Sequence, residues 1–172
     1  YAEGFDPGRD GCEVRALPAW VDEFKAKYGN TPAHRGQYRG RYDYRFDAVK
    51  FCHKVGAMTD FGERLTDGVV VWLDADTFTH APVTDEWLAG LFPDRAYIAW
   101  LERRNSHPET GFLMFRGDHP YHGPFMASLR ELYTSGNLMK IGETHDAAAI
   151  QHTVMAKYAR GKIPPPHNLS GD

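Results

Sequence analysis

Asp74 and Asp76 stand one alanine apart where an apolar run, residues 68–78 (GVVVWLDADTF), comes to an abrupt stop. Two carboxylates so close repel each other unless a cation, a shared proton or strong hydrogen-bond donors compensate. A hard divalent ion, Mg²⁺ or Mn²⁺, is the simplest compensation. The competing reading is structural: Asp is common in turns that end strands, and Asp76 could cap the following turn through its side chain. A motif this short does not decide between the two alone.

Other chemistry-bearing residues are spread along the chain. In residues 45–58 (RFDAVKFCHKVGAM) the polar side carries Arg45, Lys50 and Lys54, cations that could converge on an anionic ligand. An Arg there suits bidentate phosphate contact, whereas the two lysines fit a solvated helix face equally well. Glu109 and Thr110 precede the apolar segment GFLMF, with Gly111 where a backbone approaches something closely. They are candidates for contact with ligand hydroxyls. Glu109 is also a candidate general base, and so is Asp146. His145, next to Asp146, is a candidate ligand or proton carrier, or simply a residue that caps or packs a helix start. Asn105, His107 and Gln151 are expected to line the same cleft.

These residues need elements to position them. Val69, Val70, Val71, Trp72 and Leu73 have the composition of a strand buried on both faces of a parallel or mixed sheet. Asp74 and Asp76 then lie at its carboxyl end, where open α/β sheets bind ligands. The opening residues 1–11 read as a strand end followed by a Gly- and Asp-rich loop. Helices are expected over residues 17–28, 45–58, 84–92, 125–134 and 146–160, and strands over 95–101 and 111–116. Residues 31–44 form a basic, Tyr- and Gly-rich loop, a lid or a connector. The prolines at 164–166 leave residues 162–172 as an extended tail. Strands alternating with helices give an α/β chain with a mixed sheet.

At 172 residues the chain is read as a single domain, 1–172. A formal charge of -3 argues against a general nucleic-acid binder, and no apolar run is long enough to span a bilayer. Cys12 and Cys52 fit neither a disulfide framework nor a zinc-site spacing, which agrees with a reducing, cytoplasmic setting.

Four segments follow one another in order: RFDAVKF, the strand ending in LDAD, HPETGFLMF, and THDAAAIQH. Together, over residues 42–158, they resemble the GT-A class of nucleotide-sugar glycosyltransferases, in particular the glycogenin-like and galactosyltransferase relatives. The resemblance matches Arg45 to the leading Arg, Asp74 and Asp76 to the metal-binding pair, Thr110 and Gly111 to a small-residue-Gly step, and Asp146 to the sugar-side acidic position. It implies one Rossmann-like domain with a mixed central sheet flanked by helices, and Mn²⁺ or Mg²⁺ held against a nucleotide diphosphate sugar. The implied activity is hexosyl transfer to a hydroxyl acceptor: a glycan, a lipid, a protein or a modified nucleic acid. Arg45, Lys50 or Lys54 would supplement the ion at the diphosphate, the leaving group of such a transfer.

The chain departs from the family pattern at both ends. A base-binding opening strand and loop are lacking, and His167 is the sole late candidate for a third metal ligand, in an unusual context. A domain truncated at both ends is the expectation. Two rivals stand beside this reading: a non-catalytic sugar- or nucleotide-binding module of the same fold, and a haloacid-dehalogenase-type phosphatase using the first Asp as nucleophile. The phosphatase pattern wants Thr or Val two residues beyond the second Asp, where this chain has Phe78.

Overall fold

The structure is a computed structural model that describes residues 14–171. The strand and loop expected over residues 1–11, and Cys12, lie outside the described residues. In chain order the regular elements are α1 (Ala19–Tyr28), β1 (Gln37–Tyr38), β2 (Arg41–Tyr42), α2 (Ala48–Arg64), β3 (Val69–Leu73), α3 (Asp85–Leu91), β4 (Ile98–Leu101), β5 (Glu109–Arg116), α4 (His122–Thr134), α5 (Asp146–Tyr158) and β6 (His167–Asn168). Four strands form one sheet in the order β3-β5-β4-β6. β5 runs antiparallel to both β3 and β4, whereas β6 runs parallel to β4. The chain is thus α/β with a mixed sheet.

Alternation along the strands sorts the side chains into two cores. Ile98, Trp100, Leu113 and Phe115, joined by Val70 and Trp72, face the layer built from α1, α2, α4 and α5. Ala99 and Met114, with Val71 and Phe112, face the opposite way, against Leu88, Leu91 and Phe92 of the α3 region. The helical layer is closely fitted. A Cβ on Gly56 of α2 would come within 2.4 Å of Val21 Cγ2 on α1. His122, at the start of α4, contacts the Gly62 carbonyl of α2 through Nε2 at 2.9 Å.

Several expectations are corrected. β3 is not buried on both faces: it lies at the edge of the sheet, and Val69 and Leu73 are 44% and 48% exposed. The helix expected from Arg45 begins at Ala48 and continues to Arg64, because two successive aspartates redirect the chain. Asp43 accepts from the Arg45 amide and starts a short 3-10 turn, Tyr44–Phe46. Asp47 then accepts from the Lys50 amide at 2.9 Å and caps α2. Arg45 therefore sits on a turn that abuts the helix. Within residues 31–44 there is a 3-10 turn, Pro32–Arg35, followed by the β1–β2 hairpin. The tail is extended but not free, since β6 pairs with β4 at Ala99 and Trp100. His167 belongs to that strand.

Candidate active-site cleft

The carboxyl end of β3 opens into a cleft of about 700 Å³. α2 supplies Lys54, the start of β5 supplies Glu109 and Thr110, and the N-terminus of α5 supplies Asp146. The loop between β4 and β5 forms one wall. It contains Asn105, which turns the chain at φ 60°, a left-handed conformation that Asn tolerates better than most residues.

At the floor, Lys54 is the hub. Its ammonium lies 2.8 Å from Asp74 Oδ1 and 2.7 Å from Asp146 Oδ2, and it donates to the Thr110 carbonyl at 2.8 Å. Thr110 Oγ1 donates to Asp146 Oδ2 at 2.6 Å, and the Trp72 indole N–H donates to Asp74 Oδ1 at 2.7 Å. The compensation that paired carboxylates require is thus an ammonium, and the carboxylates it joins are Asp74 and Asp146. Burial raises the pKa of Asp146, but contacts from His145, Lys54 and Thr110 outweigh burial and hold it well below the usual carboxylate range. Its place in the first turn of α5 also favours the anion. Asp146 is therefore a firmly held anion and a poor proton acceptor at neutral pH.

One flank is built by a second set of contacts. The Thr144 amide donates to the Arg45 carbonyl at 2.7 Å, fastening the loop before α5 to the turn before α2. Arg45 is gripped by Asp43 through Nη2 at 2.7 Å and reaches Glu143 Oε1 through Nη1 at 3.3 Å. His145 is buried against the rings of Tyr44 and Phe51, at centroid separations of 5.7 and 6.1 Å. On the opposite lip Glu109 accepts from the Gly111 amide at 2.9 Å and pairs with Arg103. A Cβ on Gly111 would lie 3.2 Å from Glu109 Oε1 and 3.5 Å from Asp74 Oδ2, so this residue lets the two carboxylates crowd the strand.

The cleft gathers Arg45, Asp74, Glu109, Thr110 and Asp146, together with Asn105, His107, His145 and Gln151. Three expected site residues, Gly111, Lys50 and Asp76, are not part of its lining. Lys50 is exposed on α2, its ammonium 5.6 Å from the Phe51 ring centroid. Asp76 is exposed in the turn after β3, which closes through the Thr77 amide on the Asp74 carbonyl at 2.9 Å. His167, the late histidine, is half-buried in β6 and also absent from the lining. The Asp74–Asp76 pair as folded does not fit a shared metal ion, because one carboxylate is occupied by Lys54 and Trp72 and the other stands outside the cleft.

Three charged lining residues escaped the sequence reading: Glu143, Glu102 and Arg103. Glu143 had a signal, its spacing from His145 in GETHD, which places a carboxylate and an imidazole two residues apart. Among the cleft's described residues the carboxylates Asp74, Glu102, Glu109, Glu143 and Asp146 exceed the cations Arg45, Lys54 and Arg103 by two formal charges. That excess disfavours an unaccompanied anion in this cleft.

The chain matches no protein-family model, no curated protein and no solved structure.

Proposed function

We propose that the protein is a glycosyltransferase of the nucleotide-sugar-dependent type, moving a hexosyl group from a nucleotide diphosphate to a hydroxyl acceptor. The observation that carries the reading is the meeting of Asp74, Thr110 and Asp146 on Lys54, at the carboxyl end of β3, in a cleft that also holds Arg45 and Glu109. Residues from distant segments, in the order that suggested the family, face one space of suitable size for a sugar nucleotide.

In this reading the sugar lies over the floor, with the Thr110–Asp146 pair as its hydroxyl partners. Arg45, prepositioned by Asp43, contacts the diphosphate, and a fixed guanidinium loses little freedom on binding. The acceptor oxygen forms a bond to the anomeric carbon as the bond from that carbon to the diphosphate oxygen breaks. The electron pair leaves with the nucleoside diphosphate, and the acceptor proton passes to a carboxylate. Glu109, at the accessible lip, is better suited to take it than the buried, strongly acidic Asp146. The excess negative charge of the lining favours a donor that enters with a divalent counter-cation, Mn²⁺ or Mg²⁺.

The test is a panel of UDP- and GDP-sugars incubated with the protein and Mn²⁺, with release of nucleoside diphosphate as the readout, followed by addition of glycan, lipid and peptide acceptors. Release stimulated by one donor and one acceptor class, and lowered at least 100-fold in Glu109→Gln, supports the reading. Donor binding without release under any acceptor would make the protein a nucleotide-sugar-binding module. Release of inorganic phosphate from phosphomonoesters, with no donor bound, would favour the phosphatase rival.

A further inference from the structure

We infer that His107, Glu143 and His145 form a transition-metal site on the flank of the cleft, separate from the Asp74–Asp76 pair. His107 Nε2 and His145 Nε2 lie 3.1 and 3.0 Å from one and the same atom, Glu143 Oε2. The three donor atoms all fall within 4.8 Å of one another. A tetrahedral ion with bonds of about 2.0–2.1 Å keeps its ligands about 3.3 Å apart, so small side-chain rotations complete the geometry.

The outer ring nitrogens supply the second argument. His107 Nδ1 meets Gln151 Oε1 at 2.5 Å, and His145 Nδ1 faces Asp146 Oδ1 at 3.9 Å. A neutral imidazole carries one N–H, and an acceptor on the Nδ1 side draws it there. For His107, whose Nδ1 is within hydrogen-bond distance of Gln151 Oε1, the Nε2 lone pair then points at Glu143 Oε2, acceptor against acceptor, unless a cation sits between them. Metal-binding histidines are oriented in this way, by an amide or carboxylate on the far nitrogen. Arg45 already bonds Oε1 of Glu143, so Oε2 is the oxygen left to meet the two rings, whose centroids lie 4.9 Å apart. A single divalent ion on Glu143 Oε2 relieves that conflict.

Two imidazoles and one carboxylate suit a borderline ion such as Zn²⁺, Co²⁺ or Fe²⁺ better than Mg²⁺. Three protein ligands leave at least one position open toward the cleft. His145 is held between Tyr44 and Phe51, so half of the site is rigid before the ion arrives. The half-exposed His107 comes from the β4–β5 loop and closes the site from the other side. The inference does not rest on the transferase reading, since it concerns binding of the ion alone.

Titration of the intact protein with Co²⁺, followed by visible absorption and calorimetry, tests it without any nucleotide. One equivalent is expected to bind with the d–d bands of a four- or five-coordinate ion, and Zn²⁺ is expected to displace it. His107→Ala and Glu143→Gln are each expected to weaken binding at least 10-fold, and Gln151→Leu by roughly 10-fold through the lost orientation of His107. Thermal melts show whether each variant is folded, and His107→Ala, at a half-exposed loop position, keeps the test informative if Glu143→Gln is not. The inference is overturned if no Co²⁺ binds, if folded His107→Ala binds as well as wild type, or if binding is lost in Asp76→Ala instead.

Discussion

Lys54 is the residue on which the cleft depends most. Its ammonium is shared by two carboxylates and a carbonyl, in a setting where its side chain is only 13% exposed. Removing one partner of such a group leaves charges without compensation, which costs more than the interaction itself is worth. Lys54→Met is expected to lower unfolding stability by about 3 kcal/mol, measured by urea titration at neutral pH. The double variant Lys54→Met/Asp146→Asn is expected to recover part of that loss, because one stranded charge is gone. Equal stability of Lys54→Met and wild type would mean that water, and not Lys54, satisfies these carboxylates. The role of Lys54 was only partly legible in the sequence. Its position on a cationic stretch was visible, yet its partners Asp74 and Asp146 lie 20 and 92 residues further along the chain. Residue type announced the need for a cation near Asp74; only the fold shows which one answers it.

At the scale of elements, α2 sets the geometry. It carries Lys54 to the floor, starts beside Arg45, and packs against α1 and α4 at its two glycines. Gly56→Val is expected to destabilise the protein by roughly 1–3 kcal/mol through overpacking against Val21, read as a lower urea midpoint. An unchanged midpoint would show that α1 yields at no cost. Five of the expected helices appear with shifted ends, and the shifts have physical reasons. The apolar spacing of residues 45–58 marks a helix face, but the Asp43 and Asp47 caps decide where helix begins. The apolar run of β3 was misread as doubly covered, since five apolar residues look alike at a sheet's centre and at its edge. Here the antiparallel pairing to β5 alone leaves one side open among the described residues. The prolines announced an extended tail but not its pairing, because the β4 partner stands 68 residues earlier.

For the molecule as a whole, the fold packs two cores on one mixed sheet and leaves the cleft at the carboxyl end of β3. No described helix is long and apolar enough to cross a membrane. Buried groups away from the cleft couple this packing to pH. Burial lowers the pKa of His122; the Gly62 carbonyl opposes that shift and His119 reinforces it. Unfolded histidine titrates near 6.5, so as the pH falls below about 6.5 the unfolded chain takes up a proton that the folded protein still refuses. Stability therefore declines toward acid through this window and is fully present above it. His122→Gln is expected to flatten the decline in urea midpoint between about pH 7 and pH 5; an identical slope would place the effect elsewhere. The α/β class and the mixed sheet were legible from alternating segments. The cleft's charge balance was not, because Glu102, Arg103 and Glu143 join it only through loops whose course no periodicity records.

The central claim is that this cleft receives a nucleotide diphosphate together with a divalent cation. Calorimetry of UDP and GDP binding, with and without Mn²⁺, in wild type and Arg45→Ala tests it most directly. The account predicts binding of one nucleotide that requires Mn²⁺ and falls at least 10-fold in folded Arg45→Ala. No binding of either nucleotide with Mn²⁺ present, or equal binding by the variant, would contradict it.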